Sequence, residues 1–295
     1  MTSEQVVGAR EPENEFTTTH HVYVPHRGGL PPVLPYVREL WRRREFATEL
    51  SRAVLRGANT TTVFGQLWLV INPLLLAGVY YLLVFILAGG SKGMDFFAQL
   101  CAGLFVFYFV AGSMTSGAAS VVGGGKLLLN TAFPRLLMPF SAVRTAFFRY
   151  LPTLPVLLVF EIVAGTHFGL GTLAALPFLG LIIVFALGLA SFFATVQVYF
   201  RDATSFLPYL NRIWLYLSPI LWTIDDVPAK FQRHIEVVSY FNPLYSLIGG
   251  YLEALQHNTV PSLQTWVTAV IWAAVALALG SSYFMSRERE FAVRI

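Results

Sequence analysis

Four stretches of this chain run for more than twenty residues without a charged side chain: 67–88 (22 residues), 96–122 (27), 173–200 (28) and 263–285 (23). At a rise of about 1.5 Å per residue, each makes a helix long enough to cross a hydrocarbon core of roughly 30 Å. Lipid-facing surface does not carry charge cheaply, so such stretches are membrane spans before they are anything else. The rest of the composition agrees. Charged residues are 12% of the chain, against about 25% in soluble domains, and the mean hydropathy is +0.61.

Two further spans are predicted. Residues 140–165 carry Arg144 and Arg149 near one end, with Pro152 and Pro155 expected to kink the helix. Residues 206–224 carry Arg212 and are broken by Pro208 and Pro219. The stretch 237–255 is moderately apolar and is interrupted at Asn242-Pro243 and again at Gly249-Gly250, so it is either a seventh span or a re-entrant pair of short helices. Charge decides. With six spans, 17 of the 20 Lys and Arg residues fall on one side, leaving Lys92, Lys230 and Arg233 opposite. A seventh span would move Arg287, Arg289 and Arg294 to the poor side, against the positive-inside bias. The expectation is therefore an all-α integral membrane protein of six transmembrane helices. Both termini are cytoplasmic, and an outer re-entrant hairpin lies between helices 5 and 6.

Residues 1–34 mix acids, threonines and Pro-Gly breakers and read as a cytoplasmic tail without fixed structure. The first 40 residues hold no apolar core of signal-peptide length. Residues 35–58 place Val37, Leu40, Trp41, Phe46, Leu50 and Val54 at helical spacing among arginines, the pattern of an amphipathic interface helix on the inner leaflet. Residues 59–295 form the six-span domain. Gly123-Gly124-Gly125-Lys126 resembles a phosphate loop only superficially: the GxxxxGK[ST] spacing is absent and Leu127 follows the lysine. Residues 126–139 form a basic, apolar loop suited to a partner's groove. Ala186, Ala190 and Ala194 permit close helix packing. Cys101, the single cysteine, is read as packing. Glu161 is either a buried functional acid or a water-exposed rim residue. His20-His21 lacks Cys or acidic partners at ligand spacing, so no metal site is expected. The net charge of +4 sits on basic residues between apolar spans, which reads as membrane orientation rather than nucleic-acid binding.

Four short pieces, in order, carry a family resemblance: TTTVFGQLWLVINPLLLAGVYYLLVF over 60–85, Phe133-Pro134-Arg135, Tyr199-Phe200-Arg201-Asp202, and Ser218-Pro219-Ile220 followed by Asn242-Pro243-Leu244. The chain resembles the membrane subunits of type-2 ATP-binding-cassette exporters of bacterial cell-surface polysaccharides, with Phe64 where that family usually has Leu. In detail it looks closest to the actinobacterial exporters of cell-wall galactan. The resemblance implies a homodimer with a channel between the copies, a separate nucleotide-binding ATPase subunit carrying ATP and Mg, no cofactor on this chain, and a lipid-linked polysaccharide as cargo. It assigns coupling to the ATPase to Lys126, Asn130, Phe133, Pro134, Arg135, Arg201 and Asp202. Arg52, Arg56, Thr60, Phe64 and Gly65 are the candidates for a substrate entrance, since arginine grips a pyrophosphate bidentately; anionic lipid heads would engage the same arginines.

The aromatic residues Tyr80, Tyr81, Phe105, Tyr108, Phe109, Trp214 and Tyr216 are candidate channel-lining residues, because flat aromatic faces hold sugar C–H surfaces loosely, by analogy with base stacking. Packing or interfacial belts account for the same residues. Pro219, Asn242, Pro243, Gly249 and Gly250 are the candidate outer gate. Two other readings stand beside the polysaccharide one. A drug or lipid exporter of the same superfamily would share the topology. An integral-membrane glycosyl or phospholipid transferase would have to use Asp202, Asp225 or Asp226.

Overall fold

A computed structural model of the protein describes residues 29–57, 64–87, 93–131, 133–222 and 241–294. Among these the secondary structure is helical throughout: α1 (Val33–Arg42), α2 (Arg44–Gly57), α3 (Trp68–Leu87), α4 (Met94–Gly123), α5 (Gly125–Asn130), α6 (Leu137–Tyr150), α7 (Thr153–Val163), α8 (Ala175–Tyr199), α9 (Ala203–Leu217), α10 (Pro243–His257), α11 (Leu263–Arg287) and α12 (Phe291–Arg294). Helices α3, α4, α8 and α11 are long and apolar enough to cross a membrane. Together α6 and α7 make a fifth candidate, bent by 41°. Its break at Leu151-Pro152 is the kink expected from the two prolines.

The centre of the fold is α8, clasped on two sides. Ala186, Ala190 and Ala194 are fully buried, and a Cβ built on Gly117 of α4 would stand 2.5 Å from that of Ala190. On the other side Gly188 faces the backbone of Ala276 in α11, and Gly280 faces the carbonyl of Gly188. Small residues on α4, α8 and α11 thus bring three backbones together, as in membrane-helix packing generally. Around them Phe105, Phe178, Phe185 and Ile182 fill the interior. By contrast α3 is scarcely buried and turns Leu75, Val79, Leu82, Leu83 and Ile86 outward.

Three local expectations require correction. The amphipathic segment is two helices rather than one, broken at Arg43; the break lets α1 pack Tyr36 and Leu40 beside Phe284 and Phe291 while α2 packs on α6 through Ser51. Pro208 does not interrupt α9, which runs on to Leu217. Nor do Gly249-Gly250 interrupt α10. Gly250 lies inside that helix against Phe178, where a Cβ would come within 2.3 Å of the ring, so close packing rather than chain flexibility explains Gly250. The other expected break, at Asn242-Pro243, is where α10 begins. As α9 and α10 each hold 15 residues, neither passes as a full span on length. At the triple-glycine corner Gly124 faces the end of the Met138 side chain, which would have to move to admit a Cβ, whereas Gly123 has open space around it.

Candidate functional site

One group of polar contacts between distant parts of the chain lies at the end of the bundle where α4 finishes. Leu136 to Met138 follow the loop after α5, and Tyr36 of α1 reaches them: its hydroxyl accepts from the Leu136 N–H at 3.4 Å and donates to Glu288 Oε2 at 2.6 Å. Arg135 Nη1 donates to the backbone carbonyl of Glu288. Burial pushes the Glu288 carboxyl above the usual carboxylate range, against the lowering effects of the Tyr36 hydrogen bond and Arg135. Phe133 rests on Phe46 of α2 with ring centroids 4.5 Å apart. Phe133 and Arg135 are therefore anchored on two sides, by the amino-terminal helices and by the segment after α11.

That segment also holds the turn between α8 and α9. The Tyr199 hydroxyl donates to Glu290 Oε2 at 2.5 Å, the Arg294 guanidinium lies over the Tyr199 ring at 4.3 Å, and Arg201 Nη2 donates to the Arg294 carbonyl at 3.3 Å. Buried Gln197 fixes the turn from within, donating to the Arg201 carbonyl at 2.8 Å and accepting from the Thr204 N–H at 2.9 Å. Arg201 reaches for Arg294, while its neighbour Asp202 is exposed at the start of α9. The structure thus brings Phe133, Pro134, Arg135 and Arg201 onto one surface. Asn130 is exposed at the end of α5, and the Lys126 side chain lies outside the described residues.

The entrance candidates are spread along the same side of the sequence. Arg52 is exposed and pairs with Glu49 at 2.5 Å; Arg56 is exposed on the last turn of α2. Thr60 lies outside the described residues. Phe64 is half-exposed and meets Trp68 edge-on, with centroids 5.4 Å apart. Gly65 adopts φ 50°, the left-handed region that glycine enters without a Cβ penalty, and so turns the chain into α3.

The aromatic candidates divide into four groups. Tyr80 of α3 is hydrogen-bonded to Tyr108 of α4 and Tyr216 of α9, with Arg212 beside them. Phe105 and Phe109 are core residues, Phe109 against Phe147 and Tyr150. Tyr81 packs edge-on against Phe97. Trp214 Nε1 donates to Asn242 Oδ1 at 2.9 Å, and Asn242 Nδ2 donates to the Leu217 carbonyl at 2.9 Å. Asn242 thereby fastens the end of α9 to the start of α10, and Gly249 abuts Pro219. A cleft of about 290 Å³ opens between α3, α4 and α6, with Trp68, Asn72, Tyr108, Ser116 and Arg149 on its walls. The expected hairpin tip, including Asp225 and Asp226, lies outside the described residues.

Sequence reasoning missed Tyr36, Glu288, Glu290 and Gln197. No local pattern marks them; only the amphipathic placement of Tyr36 and the charges after an apolar span hinted at a role.

A bundle of long apolar helices, with clusters of inter-element polar contacts at its two ends, defines a polytopic membrane protein. No family model matches the chain. Curated relatives do. It is 31% identical over 225 residues to an O-antigen export system permease protein RfbA of Klebsiella pneumoniae, covering 74% of this chain and 84% of that protein. A second RfbA from the same organism is 29% identical over 234 residues, 79% and 88% of the two chains. The RfbA of Myxococcus xanthus is 27% identical over 261 residues, 88% and 98%. The chain belongs to the O-antigen export permease family, the membrane subunits of type-2 ATP-binding-cassette exporters of cell-surface polysaccharide.

Proposed function

We propose that this chain is the channel-forming subunit of an ATP-driven exporter that moves a lipid-linked polysaccharide, a polyprenyl-diphosphate-linked galactan, out of the cytoplasm. Two copies assemble around the channel. Each takes one nucleotide-binding subunit, which carries the ATP and Mg and performs the hydrolysis. The observation that carries this reading is the joined surface of Phe133, Arg135, Arg201 and the 288–294 segment: one polar platform, tied to both the α1–α2 arm and the helical body, that a motor can push on as a unit.

The topology in this reading has six spans, with α9 as the fifth and a re-entrant hairpin running into α10. The Tyr36–Glu288 contact supports an even number of crossings, since it brings α1 and the end of α11 to the same end of the bundle. That end is cytoplasmic in this reading, where most of the basic residues collect. The α1–α2 arm lies on the inner leaflet, exposing Trp41, Val37 and Val54 to lipid. ATP binding on the partner draws the platforms of the two copies together and biases the channel open, a two-state change driven by differential contacts. The Tyr80–Tyr108–Tyr216 cluster beside Arg212 offers hydroxyls and aromatic faces on the wall of that passage.

Depletion of the chain in its native cell, followed by analysis of the lipid-linked glycan trapped inside, tests this function. Accumulated polyprenyl-diphosphate galactan is the expected result. Accumulation of a different glycan corrects the cargo; unchanged export refutes the function.

A further inference from the structure

At the end of the bundle opposite the platform lies a larger cleft, of about 670 Å³, between the start of α4, the end of α7 and the end of α10. This is well inside the range of small-molecule sites. Its polar wall is made by Asp95, Gln99, His167, Gln256, His257 and Asn258. The floor is rigidly built. Glu161 is 1% exposed, yet its carboxylate accepts from the Thr166 hydroxyl at 2.7 Å through Oε2 and from Gln256 Nε2 at 3.3 Å through Oε1. Both donors belong to the cleft lining, so the buried acid holds two wall residues in place. On the other wall Asn258 takes φ 51°, and its Oδ1 accepts from the Thr172 N–H at 3.1 Å. Gly169 and Gly171 pack on Asn258 so closely that neither has space for a Cβ.

A buried carboxylate in a membrane protein is expensive and is by default a sign of function. Here it serves neither the platform nor the tyrosine cluster. What it organises is a wall of amides and imidazoles, groups that each offer a donor and an acceptor, together with one exposed carboxylate. Among the described residues the polar lining is amides, imidazoles, the Thr166 hydroxyl and one carboxylate, a largely neutral set of donors and acceptors that suits vicinal hydroxyls.

We infer that this cleft is a binding site for a neutral, hydroxyl-rich segment of glycan, met by the polymer as it leaves the channel. The inference rests on the exporter reading above for its ligand class. Repeated, readily broken hydroxyl contacts there would hold an emerging chain against slipping back without trapping it. Gln99 and His257 are the contacting residues; Glu161 is a positioning residue that acts through Thr166 and Gln256.

The test uses the full-length protein in lipid nanodiscs with galactotetraose as the probe, read by saturation-transfer NMR. Transfer to the sugar is expected from the unmodified protein. The Gln99→Ala/His257→Ala variant should bind roughly tenfold more weakly, as when two neutral hydrogen bonds are lost, with an unchanged melting temperature because both positions leave the Glu161 floor intact. Glu161→Gln, which cannot accept from both donors equally, should weaken binding while the Gln99 and His257 side chains remain. No transfer from the unmodified protein at millimolar sugar, or equal transfer from the double variant, overturns the site. Neither result touches the exporter reading, which stands or falls on the depletion experiment.

Discussion

The Tyr36 hydroxyl donates to Glu288 Oε2 over 2.6 Å, joining residues 252 positions apart. This one bond ties the amino-terminal arm to the segment that also holds Arg135 and Tyr199, and most of what the platform should do under perturbation follows from it.

Tyr36→Phe removes the donor and leaves a half-buried carboxylate with one partner fewer, a change worth about 1 kcal/mol locally. Faster amide exchange is expected in α1 and in 288–294, with the helices of the body unaffected. Unaltered exchange in α1 would show that its packing against Phe284 and Phe291 is enough to hold it.

The junction should also respond to pH. Burial raises the folded-state pKa of Glu288, so its contribution to stability is fully present below the ordinary carboxylate range and is lost as pH rises through the raised value. Platform amides should therefore be better protected at acidic than at alkaline pH. Glu288→Gln should flatten that dependence, as followed by amide exchange across a pH series.

Phe133→Ala and Arg135→Ala together remove the ring that rests on Phe46 and the donor to Glu288. Export in cells should be lost while the protein still inserts and is purified in normal yield. Normal export by this variant would remove the coupling role from the loop.

Gly117 faces Ala190 at a separation that admits no side chain. Gly117→Val should overpack the α4–α8 crossing by about 1–3 kcal/mol, visible as a lowered melting temperature in detergent. At Gly78 of α3, a Cβ meets nothing within 4 Å, and Gly78→Ala should be neutral or slightly stabilising.

Tyr108→Phe keeps the ring and removes a hydroxyl shared with Tyr80, whereas Tyr108→Ala removes both. If the cluster lines the passage, export should fall with the alanine and largely survive the phenylalanine, measured as glycan appearing outside the cell per unit of permease.

The long spans were readable in the sequence because lipid excludes charge, a constraint that acts on every residue of α3, α4, α8 and α11 independently. The bend at Pro152 was readable for a similarly local reason. The Ala186–Ala194 stripe announced close packing, and α4 fills it. What could not be read depended on partners far away in the chain. Gly249-Gly250 looked like a break, but the helix runs through both and Phe178 needs the space that Gly250 leaves. Arg201 finds its acceptor in the carbonyl of Arg294, 93 residues on, a partner that no local pattern could reveal. Glu161 was equally a rim residue or a buried one by sequence, and only the fold, by bringing Gln256 to it, decides for burial.

The glycine crossings that clasp α8 leave no slack between α4, α8 and α11, whose backbones touch directly. If a partner pushes on the platform, as proposed above, that slab has no slack to absorb the displacement. It is then expected to reach α3, which is held by few neighbours and greasy on its outward side.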